Sequence, residues 1–340
     1  MRRPTLSAIV PATDGPEALA RCERSIRQAD EPPEELIVVE RPARAAPAVA
    51  RNIGALAASG DVLVFVDADV LPHRDAFSRI RDAFADDSDL TAVFGAYDDR
   101  PDADGPVSTF RNLLPHYVHR SSAGPSTSFW SGLGAVRRDR FMAAGGFDGR
   151  RFPGPDVEDV ELGMRLSEAG ARIVLDPSIQ ATHLKAWTVR AIVRTDLLRR
   201  GVPWVSLLLR RRRAPGELNL GRRHQLSALA CISAAAALAA RRPARAAPGL
   251  AVLVLANRPF YALLWRHGGA RTATAGVGLH VLHHLTAAAA VPLGALAWLR
   301  DRAHDGEEPD SLDSLLFALH AHPPRVIQTS AAKQTAAAPV

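Results

Sequence analysis

Three short apolar runs constrain the fold of this 340-residue chain most strongly. The runs are SAIVP at Ser7–Pro11, ELIVVE at Glu35–Glu40 and DVLVFV at Asp61–Val66. Runs of this length that are rich in valine and isoleucine are typical of strands buried on both faces. Segments with helical spacing separate them, at Pro16–Ala29 and Ala48–Ser59. This alternation predicts an α/β fold, in which a Rossmann-like, mostly parallel sheet is flanked by helices.

The same pattern continues toward residue 200. Further strands are expected at Leu90–Tyr97, Ser131–Val136 and Ala171–Leu175, and a helix at Val157–Ala169 that ends before a glycine. A polar loop is expected at Asp98–Gly105. We therefore predict one catalytic domain over residues 1–200.

The last third of the chain differs in composition, because alanine and leucine dominate it. The apolar segments are Leu226–Ala240, Leu250–Trp265 and Ala275–Leu299, and the third is long enough to span a bilayer core of roughly 30 Å. Two or three membrane helices, or helices lying in the membrane interface, are expected here. A soluble, alanine-rich helical domain is the alternative.

The predicted division beyond the catalytic domain follows from this change. It comprises a basic juxtamembrane segment at 201–224, a hydrophobic, membrane-associated region at 225–300 and a polar, partly disordered tail at 301–340.

The net charge of +6 would suit a nucleic acid, a membrane surface or a phosphorylated substrate. Arginines cluster at 199–200 and 210–213, just before the apolar region, as positive residues do on the cytoplasmic side of membrane segments. No nucleic-acid-binding motif accompanies them, so no nucleic-acid partner is expected. The two cysteines, Cys22 and Cys231, exclude a disulfide framework and favour a reducing compartment.

Two acidic groups suggest chemistry. Asp67 and Asp69 follow the third strand, where polar groups meet at the carboxyl ends of parallel strands, and their oxygens suit Mg²⁺ or Mn²⁺. Such an ion would bridge the oxygens of a pyrophosphate. A second group, Glu158–Glu161, opens a helix. These residues either stabilise the helix N-terminus or supply a general base, and the residues alone leave both readings open.

Several sequence blocks, taken in order, resemble family 2 glycosyltransferases. They are SAIVPATDG, LIVVE, ARNIGALAASGDVLVFVDADV, WSGLGAVRRDRFMAAGGFD, VEDVELGMRL and THLKAW, and they fall within residues 5–200. The resemblance implies the GT-A fold and an inverting transfer from a nucleotide sugar. A looser likeness to membrane-associated members of the family covers NRPFYALLWRHGG and GVGLHVLHHL.

The resemblance also implies roles for individual residues on the donor side. The residues expected to face the donor nucleotide or its phosphates are Pro11, Ala12, Thr13, Glu40, Arg51, Asn52, Asp67 and Ala68. Glu40 stands where the family often has aspartate. The expected metal ligands are Asp67, Asp69 and His183, with Asp69 the more direct of the two carboxylates.

On the acceptor side, the resemblance assigns Asp159 as the base that deprotonates the acceptor hydroxyl. The other residues expected near the acceptor are Trp130, Gly132, Leu133, Gly134, Glu158, Glu161 and Lys185. The two glycines are expected to allow close approach of a substrate.

These expectations define an enzyme with a nucleotide-sugar donor and a lipid-linked or glycan acceptor. It would be located at the cell membrane, with the catalytic domain facing the cytoplasm, where nucleotide sugars are found. One alternative is a catalytically silent binding or scaffold protein of the same fold, against which the intact Asp67, Asp69 and Asp159 argue. Another is a nucleotidyltransferase, although PATDGPEA lacks the lysine of a phosphate loop.

Overall fold

The computed structural model describes residues 3–40, 45–212, 221–301 and 312–329. They divide into two compact units. The first contains the described residues within 1–100, 123–184 and 307–340, and the second contains those within 101–122 and 185–306.

The regular elements follow the chain in this order. The strands are β1 (Leu6–Pro11), β2 (Glu35–Val39), β3 (Val62–Val66), β4 (Val70–Pro72), β5 (Leu90–Tyr97), β6 (Gly124–Ser126), β7 (Leu133–Arg137), β8 (Arg172–His183) and β9 (Arg325–Gln328). The helices are α1 (Pro16–Arg27), α2 (Pro47–Ala57), α3 (Ala76–Asp86), α4 (Pro106–Ser121), α5 (Arg138–Ala143), α6 (Glu158–Glu168), α7 (Val189–Arg194), α8 (Val202–Arg211), α9 (Arg222–Ala239), α10 (Ala247–Ala256), α11 (Arg258–Asp301) and α12 (Leu316–Ala321). A π-helical turn at Thr195–Gly201 joins α7 to α8, and short 3₁₀ turns lie at Pro243–Arg245 and Leu312–Leu315.

The first unit is built on one nine-stranded sheet. Its order is β4-β8-β5-β7-β3-β1-β2-β9, with β6 paired to β8. Strands β2, β1 and β3 are parallel, as are β5 and β8, whereas the other pairs are antiparallel. The predicted α/β class is confirmed, but the sheet is mixed rather than mostly parallel.

The central strands are buried on both faces, as their apolar runs predict. Every residue of β1, β2 and β3 is buried. One face packs against side chains of α1 and α3, including Ile26 and Phe77, which are fully buried. Burial of such side chains contributes about 1.5–3 kcal/mol each and fixes the sheet against its helices.

Two strand pairings position the polar groups at the end of the sheet. The amide of Ala12 donates to the Val39 carbonyl oxygen over 3.0 Å, so the ends of β1 and β2 are adjacent. In the antiparallel pair β4–β8, Val70 lies opposite His183. Asp69 therefore comes beside His183, although the two are far apart in the sequence.

Residues 312–329 of the tail, which was predicted to be partly disordered, form regular structure. In this segment α12 packs on α2, and β9 pairs with β2 from Val38–Arg325 to Glu35–Gln328. The physical reason is that β2 would otherwise be an edge strand with unpaired amide and carbonyl groups. Residues 302–311 and 330–340 of the predicted tail lie outside the described residues.

The structure also divides the chain differently from the predicted boundary at residue 200. Helix α4 belongs to the second unit, because Phe110 and Leu113 pack with Phe260 and Leu264 of α11 in one buried cluster. The sequence gives no sign of this, since α4 lies between strands of the first unit. The predicted basic segment 201–224 contains α8 and the start of α9, and residues 213–220 lie outside the described residues.

Helix α11 is long and apolar enough to cross a membrane. It is the single helix with both properties among the described residues, whereas Pro243–Ala256 is apolar but shorter. Its backbone departs from helical angles at Gly268 and Gly269, and residues 270–301 would extend about 48 Å as a helix. Large apolar side chains such as Leu255 and Trp265 are exposed in this unit. The structure thus supports one candidate membrane span where the sequence predicts two or three.

We expect Gly95→Ala to destabilise the first unit. Gly95 lies at a register shift between β5 and β8, and a Cβ there would overlap the Ile179 carbonyl oxygen. Because the obstacle is backbone, relief requires the two strands to separate, which costs about 2 kcal/mol. Chemical unfolding measures the change. Gly15→Ala is the control, since a Cβ there meets nothing within 4 Å. Equal stability of both variants would contradict the packing described for this strand pair.

Candidate functional site

Asp69 and His183 form a pair of potential metal ligands. Asp69 Oδ2 lies 3.3 Å from His183 Nε2, and both side chains are buried. The Leu184 amide donates to the Asp69 carbonyl oxygen over 2.9 Å, which fixes the backbone of the two segments. The structure thus brings together two of the three predicted metal ligands.

Aromatic side chains enclose this pair. Tyr97 stacks on the His183 imidazole with ring centroids 4.4 Å apart and an interplanar angle of 9°. Trp130 contacts Tyr97 edge to face at 4.8 Å. These contacts restrict the His183 ring, so its Nε2 is held toward Asp69. Tyr97 was not predicted as a site residue. It lies at the end of β5, and it comes next to His183 only because β5 pairs with β8.

A buried guanidinium connects the acidic groups of the site. Arg51 Nη2 lies 2.6 Å from Asp67 Oδ1, and Nη1 lies 2.7 Å from Glu158 Oε1. We call Arg51, Asp67, Glu158 and Asp159 the Arg51 cluster. Burial lowers the pKa of Arg51, but Asp67 and Glu158 outweigh this effect and raise it, so the guanidinium stays charged. Arg51 thus binds two carboxylates, where the sequence predicted contact with the nucleotide.

The electrostatics of Glu158 reflect its burial in this cluster. Burial is the largest influence and raises its pKa, Arg51 lowers it and Asp159 raises it, for a net value of about 6. The Asp156 amide donates to Glu158 Oε2 over 2.9 Å. Each oxygen of Glu158 therefore has a partner within the protein, and its contact with an acceptor stays a prediction.

Asp159 is held by donors rather than by a cation. The amide of Ser131 donates to Asp159 Oδ2 over 3.1 Å, and the Ser131 hydroxyl donates to the same atom over 3.3 Å. The Val160 amide donates to Asp159 Oδ1 over 2.8 Å. Asp159 stands in the first turn of α6, where the helix dipole favours a carboxylate. Ser131 lies within the WSGLG block, but the sequence alone did not single it out.

The ends of β1 and β2 form the predicted donor side. Pro11 is buried at the end of β1, Ala12 is half-buried and Thr13 is exposed. Glu40 is exposed directly after β2, and its Oε1 lies 3.0 Å from Arg325 Nη2 of β9. Arg325 was missed because its contact with Glu40 joins residues 285 positions apart.

Four of the predicted contact residues form contacts within the protein. Asn52 forms two hydrogen bonds with the Phe147 backbone, donating from Nδ2 over 2.8 Å and accepting at Oδ1 over 2.9 Å. Glu161 is buried and pairs with Arg165 over 2.7 Å. Ala68 and Leu133 are fully buried in the hydrophobic core. Their side chains contact the protein, and the expected contacts with donor or acceptor stay predictions.

The glycines of the WSGLG block also have a structural explanation. A Cβ on Gly132 would overlap the Trp130 indole, and one on Gly134 would overlap the Trp130 carbonyl oxygen and the Phe129 ring. Close approach of a substrate stays a prediction at both positions. Their lack of side chains lets Trp130 fold back over its own loop.

Lys185 belongs to the second unit, in which it is exposed. Its Nζ lies 5.1 Å from the centroid of the Trp187 ring, and its carbonyl oxygen accepts from Asn112 Nδ2 over 3.0 Å. Arg111 contacts the same indole at 5.1 Å, so two cations surround Trp187.

The chemistry of the donor set fits a divalent cation that is completed by a substrate. In the part of the chain that the structure describes, no three histidine, cysteine or acidic side chains are arranged to hold a metal ion. Asp69 and His183 offer one oxygen and one nitrogen, a combination compatible with Mn²⁺. The remaining ligands would have to come from phosphate oxygens and water, as is common for ions bound with nucleotides.

One cavity lies away from these residues. Its volume is about 520 Å³, and its lining includes Arg137, Arg140 and Arg172. None of the predicted site residues lines it. Because it is located at the amino end of β5 and β8, it is at the opposite end of these strands from His183.

Parts of the chain are similar to known proteins. Residues 26–143 match the family described as Glycosyl transferase family 2. Two proteins named Pre-mycofactocin glycosyltransferase, from two strains of Mycobacterium tuberculosis, are each 29% identical over 174 residues. The match covers 46% of this chain, which spans about a third (35%) of the length of these relatives.

Among solved structures, the mannosyltransferase PcManGT from Pyrobaculum calidifontis, in complex with GDP-Man and Mn²⁺, has a TM-score of 0.51. It is 19% identical, over 88% of each chain, so the likeness concerns the fold. The resemblance to family 2 glycosyltransferases and the GT-A fold class are confirmed.

We expect Arg51→Met to destabilise the protein by about 3 kcal/mol near neutral pH, since it leaves buried carboxylates unpaired. The loss should be smaller at about pH 5, because a buried carboxyl with a raised pKa is protonated there and costs little. Chemical unfolding at both pH values measures this difference.

The matched control is Arg74→Met, which removes an exposed pair with Asp30. It should change the free energy of unfolding by no more than about 0.5 kcal/mol. If Arg51→Met were equally mild, the two buried ion pairs would not hold the site together.

Proposed function

We propose that this chain is a metal-assisted, inverting glycosyltransferase, acting on a hydroxyl of a lipid-linked or membrane-proximal glycan acceptor. The observation that supports this most is the Arg51 cluster. A single guanidinium binds Asp67, which follows β3 on the donor side, and Glu158, which precedes Asp159. Asp159, the proposed base, would thereby lie close to Asp67 on the side of the leaving diphosphate.

The donor nucleotide would lie across the ends of β1, β2 and β3. Pro11, Ala12 and Thr13 would contact the base, and Glu40 would accept hydrogen bonds from the base or ribose. This placement follows the rule that ligands bind outside the carboxyl ends of parallel strands, where the chain direction changes sides. The diphosphate would then reach Asp69 and His183, which are separated by 3.3 Å.

A bound Mg²⁺ or Mn²⁺ would stabilise the negative charge of the departing diphosphate. Asp69 and His183 would hold it directly. Asp67 would contribute less, because its Oδ1 already accepts from Arg51 over 2.6 Å. Tyr97 would keep the His183 imidazole in the plane that presents Nε2 to the ion. The metal-bound relative among solved structures is consistent with a divalent cation.

Asp159 would act as the general base. Its carboxylate takes the proton of the acceptor hydroxyl while the acceptor oxygen forms a bond to the anomeric carbon. The bond from that carbon to the diphosphate oxygen breaks, and the electron pair leaves with the nucleoside diphosphate. Attack opposite the leaving group inverts the anomeric configuration. Ser131, which donates twice to Oδ2, would fix the orientation of this carboxylate.

The second unit would attach the enzyme to the membrane. Helix α11 is long and apolar enough to span, and exposed apolar side chains surround it on α9 and α10. Confinement of enzyme and lipid-linked acceptor to one membrane raises the effective concentration of the acceptor. The catalytic unit would face the cytoplasm, which supplies nucleotide sugars.

We expect Asp159→Asn to lower kcat by roughly 10²- to 10⁴-fold, because the amide cannot accept the acceptor proton. Release of nucleoside diphosphate from a panel of nucleotide sugars measures turnover, and calorimetry measures donor binding, which should be preserved. Glu168→Gln, an exposed change on the same helix, is the control. Full turnover of Asp159→Asn would show that another group is the base, whereas donor binding without turnover in the wild type would favour a silent binding protein.

We expect Asp69→Asn and His183→Ala each to weaken Mn²⁺-dependent nucleotide binding by roughly tenfold to a hundredfold. Each change removes one of the two proposed protein ligands, so water would have to replace that ligand. Calorimetric titration of nucleoside diphosphate with and without Mn²⁺ separates this loss from a general loss of affinity. His73→Ala, which removes an imidazole paired with Asp98, is the control. If nucleotide binding were independent of metal in the wild type, the metal assignment would be wrong.

A further inference from the structure

The strand β9 contributes a charged side chain to the donor side of the sheet. Its backbone docks on β2 by antiparallel pairing over Arg325–Gln328. Beyond the strand, the Thr329 amide donates to the Glu34 carbonyl oxygen over 3.1 Å. These backbone bonds cover the sheet edge without any contribution from the Arg325 side chain.

The guanidinium of Arg325 binds two carboxylates from different elements. It forms a fork on Glu23 of α1, with Nη1 2.9 Å from Oε2 and Nη2 2.6 Å from Oε1. Nη2 also lies 3.0 Å from Glu40 Oε1. The Glu23 side chain is 11% exposed, whereas that of Glu40 is 51% exposed. Glu23 is therefore the fixed anchor, and Glu40 is the group whose orientation Arg325 restricts.

Glu23 and Arg325 each favour the charged form of the other. The hydrogen bonds from Arg325 are the largest influence on Glu23 and lower its pKa. Glu23 and Glu40 both raise the pKa of Arg325. The contact between Arg325 and Glu40 is a charge-assisted hydrogen bond of 3.0 Å, and such bonds are stronger than neutral ones.

The position of Glu40 indicates what this restriction achieves. Glu40 directly follows β2, whose end is hydrogen-bonded to the loop after β1 through Ala12 and Val39. Arg325 contacts Oε1 of Glu40, and within the described part of the chain no hydrogen bond to Oε2 is seen, so Oε2 could accept from a ligand. A single exposed glutamate samples several rotamers, and fixing one of them in advance reduces the entropy lost when a ligand binds.

We propose that Arg325 is a positioning residue for donor recognition, which holds Glu40 so that Oε2 accepts a hydrogen bond from a ribose hydroxyl of the nucleotide. The inference rests on the proposed function, because it assigns a ligand to the same donor site. It makes the segment after the apolar helices part of that site. Edge closure alone does not account for the contact, since the backbone pairing of β9 needs no side chain that reaches Glu40.

The test uses the full chain with Mn²⁺ and calorimetric binding of UDP and GDP, each compared with its 2′-deoxy and 3′-deoxy counterparts. The wild type should prefer the ribonucleotide. Arg325→Gln should weaken binding of the preferred ribonucleotide about fivefold, an effect of the size of one ordinary hydrogen bond, and should remove most of the preference for ribose. Transfer at saturating donor should keep its kcat, because Arg325 does not touch the reacting atoms.

Matched variants separate positioning from folding. Glu40→Gln should give the same loss, and Arg325→Gln combined with Glu40→Gln should give no further loss, since both remove one contact. Arg325→Lys should retain part of the preference, because it keeps the charge but lacks the planar fork. Gln328→Ala, at the other end of β9, should bind as the wild type does. Hydrogen exchange of the β2 amides reports whether β9 stays docked.

An unchanged ratio between ribonucleotide and deoxynucleotide affinity in Arg325→Gln would overturn the inference. So would a loss of affinity that coincides with loss of amide protection in β2, because Arg325 would then serve only to dock the strand. Failure of the proposed function has a different signature, in which the wild-type chain binds none of the nucleotides.

Discussion

The buried contacts of Arg51 determine how the acidic groups of this protein are arranged. The guanidinium binds Asp67 at the end of β3 and Glu158 at the start of α6, two elements that are far apart in the sequence. A buried cation that lacked either partner would be strongly destabilising. The need to satisfy Arg51 therefore fixes α6, and with it Asp159, relative to the end of the sheet.

The mixed sheet supplies the second constraint. Parallel pairing of β2, β1 and β3 places the predicted donor residues at one edge of the sheet, as expected for such strands. Antiparallel pairing of β4 with β8 then brings His183 to Asp69. The approach of His183 to Asp69 thus depends on a short strand, β4, which the sequence did not show because three residues carry no detectable period.

Stability and chemistry share residues in this site. Asn52, Glu161, Gly132 and Gly134 occur in motifs that suggest substrate contact, yet each satisfies a buried backbone group, an ion pair or the packing of Trp130. A sequence motif therefore does not distinguish residues that stabilise the fold from residues that contact a substrate. Arg325 shows the converse, since a residue outside every motif lies 3.0 Å from a predicted donor-binding carboxylate.

The sequence by itself determined the α/β class, the positions of the main strands and helices, and the presence of Asp67, Asp69 and Asp159 at strand or helix ends. These features follow from local periodicity and from polar groups at element boundaries, both of which can be read from the sequence alone. Only the tertiary structure decided that the sheet is mixed, that α4 packs with α11, that β9 closes the edge at β2, and that Arg51 faces carboxylates. Each of these depends on pairing between distant segments, whose free energy comes from burying surfaces and satisfying charges that no local pattern records.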